Sequence, residues 1–138
     1  MRDRKTMLPF SSFEPAASSH QVLLVEDEPV VRALLAEELR GTGYKVVEAA
    51  NADEAWDFLQ AGGTADLIFS DVTMPGTMNG VELVQRVKAT YPNIEAIITS
   101  GNPGPVTIAD ICTFLQKPYR LAEAARTVMR CLAGRREP

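Results

Sequence analysis

The chain contains no run of about 18 apolar residues, so no segment is able to cross a bilayer as a helix. Residues 1–20 mix Arg, Lys, Ser, Pro and Glu and lack the apolar core of a secretory signal. Cysteine is scarce: Cys112 and Cys131 have no metal-like neighbour at short spacing and read as buried thiols of a reducing cytosol. Basic residues are not in excess, with 14 Lys and Arg against 18 Asp and Glu and a net charge of −4. Duplex binding normally needs a basic face, so direct nucleic-acid contact is not expected. No internal repeat and no second domain is visible. What remains is an ordinary globular composition, 46% hydrophobic and 23% charged over 138 residues, enough for one domain with its own core.

Residues 1–19 carry Pro9, Pro15 and several serines without periodicity and are expected to form a disordered arm. A folded unit is expected over 20–134 and a short tail over 135–138. Within it, two kinds of pattern alternate. Val22–Val25 is a continuous apolar run of the kind found in strands buried on both faces, Leu67–Ser70 is the next buried strand and Ile94–Thr99 a fourth strand. Tyr44–Ala49 carries Lys45 and Glu48, as an edge strand does, and Ile111–Gln116 completes the set. Between them, Val31, Leu34, Leu35 and Leu39 recur at helical spacing after Pro29, and Gly41 or Gly43 ends that helix. Asn51 and Asn79 are placed to cap two more helices, and Leu121, Ala125, Val128 and Leu132 mark a last one. Strand and helix in alternation predict an α/β fold: a doubly wound, five-stranded parallel sheet in the flavodoxin-like order 2-1-3-4-5. The stretch between strands four and five, Gly101 to Asp110, is too short for an ordinary crossover helix, so a short or irregular fourth helix is expected. The chain ends at Pro138, soon after Leu132, so no output domain is expected at that end.

In such a sheet ligands bind beyond the carboxyl ends of the strands, where the strand order reverses. Strand one ends in Glu26-Asp27, strand three in Asp71, strand four in Thr99-Ser100 and strand five in Lys117. Three carboxylates would then share one crevice with a hydroxyl and an ammonium. Each carboxylate pair repels by about 1–4 kcal/mol at 4 Å for effective dielectrics of 80 to 20. That repulsion invites a hard divalent cation, and Mg²⁺ suits one or two carboxylates plus water and a phosphate oxygen. A metal, a carboxylate and a lysine together are apparatus for phosphoryl transfer, with Asp71 as nucleophile. Each residue also has an ordinary structural role available. Acids suit a helix start, Asp71 an Asx-turn, Ser100 a turn before Gly101, and Lys117 a snorkelling strand end. Their coincidence at one sheet edge favours the chemical reading.

At these residues the sequence resembles the receiver domains of bacterial response regulators. The resemblance lies in Val25-Glu26-Asp27-Glu28-Pro29, in Ser70-Asp71-Val72-Thr73-Met74-Pro75-Gly76 followed by Met78-Asn79-Gly80, in Thr99-Ser100-Gly101, and in Phe114-Leu115-Gln116-Lys117-Pro118. It covers about residues 20–133. It implies that Asp71 takes a phosphoryl group from a histidine kinase or histidine phosphotransfer protein. It implies that Asp27, Asp71 and the backbone carbonyl of Thr73 hold Mg²⁺, with Glu26 acting directly or through water. Ser100 would hydrogen-bond the phosphoryl group, Lys117 would pair with it, Phe114 would switch, and the Lys117-Pro118 bond would be cis. The expectation is a cytoplasmic, monomeric or weakly dimeric single-domain regulator that catalyses only its own phosphorylation and dephosphorylation. Its readout would be a downstream protein target or a phosphorelay. Thr77 lengthens the loop after Asp71 by one residue, and the short segment 101–110 departs from the family where its output surface lies. The rivals are a pseudo-receiver that binds partners without phosphorylation, an aspartate-nucleophile phosphatase and a flavin module. The phosphatase would need an acid where Thr73 stands; the flavin module would be repelled by Glu26-Asp27-Glu28.

Overall fold

The structure is a computed structural model that describes residues 20–101 and 111–134. Its strands are β1 (Gln21–Val25), β2 (Lys45–Ala49), β3 (Leu67–Asp71), β4 (Glu95–Ser100) and β5 (Thr113–Gln116). The described helices are α1 (Pro29–Thr42), α2 (Ala52–Gln60), α3 (Gly80–Thr90) and α4 (Leu121–Leu132). All strand pairs are parallel, in the order β2-β1-β3-β4-β5. The apolar residues of β1, β3 and β4 are buried because helices cover both faces. Leu23, Val25, Ile68 and Ile98 pack under α2 and α3 through Ala55, Leu59, Leu83 and Val87. Alternate residues Val22, Leu24, Phe69, Ile97 and Leu115 pack under α1 and α4 through Leu35, Leu39, Ala124 and Val128.

The helix punctuation works as expected. Pro29 opens α1, and Gly43 closes it at φ 114°, a left-handed conformation that favours glycine. The Asn51 side chain accepts from the Glu54 amide. Asn79 and Glu82 form a reciprocal capping box, with bonds of 2.9 Å each way. The Lys117–Pro118 peptide bond is cis.

Two expectations change. In α1 only Leu35, Ala36 and Leu39 are buried, whereas Val31 and Leu34 are 38% and 46% exposed. The reason is position: the N-terminal half of α1 flanks a cavity beyond the carboxyl ends of the strands, which Val31 and Leu34 line. Cys112 and Cys131 are half-buried rather than buried: Cys112 precedes β5, an edge strand, and Cys131 on α4 reaches Thr113 of that strand at 3.4 Å. The expected disordered arm, the short fourth helix of the β4–β5 crossover and the C-terminal tail lie outside the described residues.

Candidate functional site

Beyond Val25 the chain keeps the sheet's direction for one more residue, the Glu26 amide donating to Ala49 O at 3.1 Å. Glu26 is buried, and its Oε2 accepts from the Glu28 amide at 3.1 Å. Arg32, one turn into α1, donates through Nη1 to Glu26 O at 2.7 Å and lies 3.6 Å from Glu48 on β2. The acid-bearing turn is thus tied at both ends, and Asp27 stands half-exposed at its lip.

The β3 side is built as firmly. Ser70 Oγ donates to Asp71 O at 2.9 Å, and the Gly80 amide donates to Val72 O at 2.9 Å. This presses the start of α3 against the acceptor strand. Buried Met74 and Met78 anchor the loop between them. The extra residue Thr77 is held from α2: its amide and hydroxyl donate to Asp53 at 3.1 and 2.6 Å. Those bonds, the hydroxyl first, hold the Asp53 carboxyl below its ordinary value of 3.8. A carboxyl with a lowered folded pKa contributes stability that is present above its unfolded pKa and lost as pH falls through the folded one. Thr77→Val should therefore move the Asp53 midpoint back up in an NMR titration. The difference in melting temperature between the two proteins should shrink as pH drops through that window.

At the end of β5, the Lys117 amide donates to Ser100 O at 2.8 Å, fixing the residue against β4. Its Nζ reaches back across the sheet to Asp71 Oδ2, also at 2.8 Å. Glu26, Asp27 and Asp71 each present a carboxylate oxygen within 4.8 Å of the others, the one such acid, histidine or cysteine cluster of three or more among the described residues. Burial, more than the neighbouring Asp71 and Asp27, raises the Glu26 pKa, while the Glu28 amide and Lys117 oppose it. The three carboxylates and Lys117 line a cavity of about 810 Å³, together with Thr73, Gly101, Tyr119 and the exposed flank of α1.

Of the residues singled out in the sequence, Glu26, Asp27, Asp71, Thr73 and Lys117 therefore meet around one cavity. Ser100 does not line the cavity; it precedes Gly101, which does, and is in register with Gln116. Phe114 packs half-buried against the α2/α3 core, set back from the cavity. The sequence reading did not foresee the roles of three residues. Tyr119 lines the cavity edge-on to Phe69, its hydroxyl pushed up to about 12 by burial first and then by Glu26 and Asp71. Thr99 is buried with its hydroxyl unpaired. Gly80 allows the close approach of α3 to Asp71, because a Cβ there would run into the Asp71 carbonyl. Tyr119 lies outside the motifs; Thr99 and Gly80 lie within them, but the motifs do not show the burial of one or the close contact at the other. The donor set is all hard oxygen, with one lysine against three acids, and this fits Mg²⁺. No described helix is long and apolar enough to cross a membrane.

Comparison with known proteins bears on the family and the fold. The chain is 37% identical over 122 residues to the sensor kinase CckA of Brucella abortus, a match covering 84% of this chain and 13% of that protein's length. It superposes on the crystal structure of the receiver domain from hybrid histidine kinase CckA with TM-score 0.69 and 35% identity, over 81% of this chain and 98% of that one. It also superposes on the response regulator TrrA of Thermotoga maritima, crystallised in complex with Mg(2+)-BeF, with TM-score 0.74 and 27% identity over 82% and 99% of the chains. The family profile described as response regulator receiver domain matches residues 22–128, a span that holds every strand end described above. The chain belongs to the response regulator receiver domain family of two-component signalling.

Proposed function

We propose that this domain accepts a phosphoryl group on Asp71 from a histidine kinase or histidine phosphotransfer protein. The observation that carries the proposal is the 2.8 Å Asp71–Lys117 ion pair set beside two further carboxylates within 4.8 Å. In the transfer the bond from phosphorus to the donor's leaving atom breaks, that atom keeps the electron pair, and an Asp71 oxygen forms the new bond. Asp27, Asp71 and the Thr73 carbonyl would hold Mg²⁺, with Glu26 bound directly or through water. Bound there, Mg²⁺ supplies positive charge against the phosphoryl oxygens. Lys117 follows those oxygens as they arrive, Ser100 donates a hydrogen bond to them, and buried Glu26 keeps bulk water from that side. The domain acts on no other substrate and catalyses only its own phosphorylation and dephosphorylation. Phosphorylation adds about two negative charges. Movement of Ser100 and Phe114 converts that charge into altered affinity for a downstream protein, or the phosphoryl group passes on in a relay.

Incubation with phosphoramidate and Mg²⁺ tests this reading by intact-protein mass. The expected result is a gain of one phosphoryl group in the wild type and none in Asp71→Asn. An unmodified wild type would favour a pseudo-receiver that binds partners without phosphorylation.

A further inference from the structure

Thr99 is 1% exposed, and its Oγ1 has no hydrogen-bond partner. A buried unpaired hydroxyl is unfavourable, and valine would fill the same volume without it. Its place makes the hydroxyl informative. Asp71, Thr99 and Leu115 are register partners across β3, β4 and β5, so their side chains share one face of the sheet. Lys117 lies two residues beyond Leu115, and its ammonium reaches Asp71 on the far side of β4. The ion pair therefore crosses the end of β4 on the face that Thr99 shares. Ser100 alternates to the opposite face, so the two hydroxyls are not equivalent.

We propose that Thr99 is a positioning residue of the phosphoacceptor site, its hydroxyl serving the Asp71 carboxylate during phosphoryl transfer. The proposal rests on the function argued above. In the resting site Lys117 holds Asp71. An arriving phosphoryl group draws the ammonium to its own oxygens and leaves the Asp71 oxygen facing the Thr99 hydroxyl. When the phosphoryl group is lost, a water oxygen bonds to phosphorus and the bond from phosphorus to Asp71 breaks. The carboxylate departs with the electron pair, and the water releases a proton to solvent. A hydrogen bond from Thr99 strengthens as negative charge returns to that carboxylate, so it favours the transition state over the phosphorylated ground state.

The experiment uses the full chain, phosphorylated with phosphoramidate and Mg²⁺, then freed of donor and followed by intact-protein mass. Thr99→Val should keep its phosphoryl group about three- to tenfold longer than the wild type and melt at an equal or higher temperature. Thr99→Ser, which restores the hydroxyl, should decay within about twofold of the wild type. Equal lifetimes in the wild type and T99V would overturn the proposal alone, and so would a T99S that decays as slowly as T99V. A T99V that melts well below the wild type would also overturn it, by showing that the hydroxyl is already partnered. A wild type that takes up no phosphoryl group would overturn the function reading, and this proposal with it.

Discussion

Gly80→Ala should lower the melting temperature by about 8 °C, the equivalent of roughly 2 kcal/mol for a domain of this size. Alanine is ordinarily the better helix residue, by about 1 kcal/mol in a helix interior. Here the sign reverses, because the added Cβ meets the Asp71 carbonyl, with Ser70 Oγ at 3.0 Å. The first of these is backbone at the end of a buried central strand, and it has nowhere to move without dragging the acceptor along. Relief requires α3 to retreat, which breaks the Gly80 amide bond to Val72 O. Phosphoryl uptake at Asp71 should therefore fall together with stability. Gly41→Ala is the control: no atom stands within 4 Å of its Cβ, and it lies in the last turn of α1. That variant should melt at or slightly above the wild-type temperature. A thermal melt of the three proteins checks the prediction; equal losses from both substitutions would refute the proposed close approach.

Removing the ammonium in Lys117→Met should slow phosphoryl uptake by about a hundredfold, the scale on which a preorganised group facing developing charge acts. Lys117 is the cation placed to follow the phosphoryl oxygens, and methionine keeps much of its length and apolar stem. The same substitution should change metal-free behaviour in a recognisable way. Asp71, whose side chain is only 12% exposed, would be left with Glu26 and Asp27 as its nearest charges. The Lys117 end of the pair is 37% exposed, and solvent screens it, so the stability loss should stay near 1 kcal/mol. With its competing cation gone, the carboxylate cluster should bind Mg²⁺ more tightly, and Mg²⁺ should raise the melting temperature of Lys117→Met more than that of the wild type. Asp27→Asn in the wild-type background should raise the metal-free stability, because it removes one like charge without touching the ion pair. Simple charge counting would also credit Asp71→Asn with a metal-free gain. The 2.8 Å bond to Lys117 opposes that gain and makes Asp27 the better choice. Calorimetric Mg²⁺ titration and melting curves of the four proteins test this argument. Weaker Mg²⁺ binding in Lys117→Met would show that the lysine supports the metal site rather than competing with it.

Much of the fold was legible because its signals are local. A run such as Val22–Val25 has to be buried on both faces, and alternation of such runs with helical spacing leaves few arrangements other than a covered parallel sheet. Pro29, Gly43, Asn51 and Asn79 mark helix ends through their own backbone and side-chain chemistry. The candidate site was legible for a related reason. In a parallel sheet every strand's carboxyl end lies on one edge, so Glu26, Asp27, Asp71 and Lys117 had to converge once the strands were placed.

Other features depended on which surfaces met. Val31 and Leu34 keep the same spacing as Leu35 and Leu39, yet they line the cavity beyond the strand ends and stay exposed. The extra Thr77 looked like a departure in the loop, and only the neighbouring helix, through Asp53, gives it an anchor. Thr99 and Ser100 are adjacent hydroxyls in the chain, and pleating sends them to opposite faces, one of them the face that carries Asp71. By itself the sequence determined the order of elements and the edge at which the charges gather, because periodicity and parallel pairing are properties of a segment and its polarity. Only the tertiary structure decided the ion pairing, the burial of Glu26 and the close contact at Gly80. Each of these depends on distances between segments remote in sequence, which no local pattern encodes.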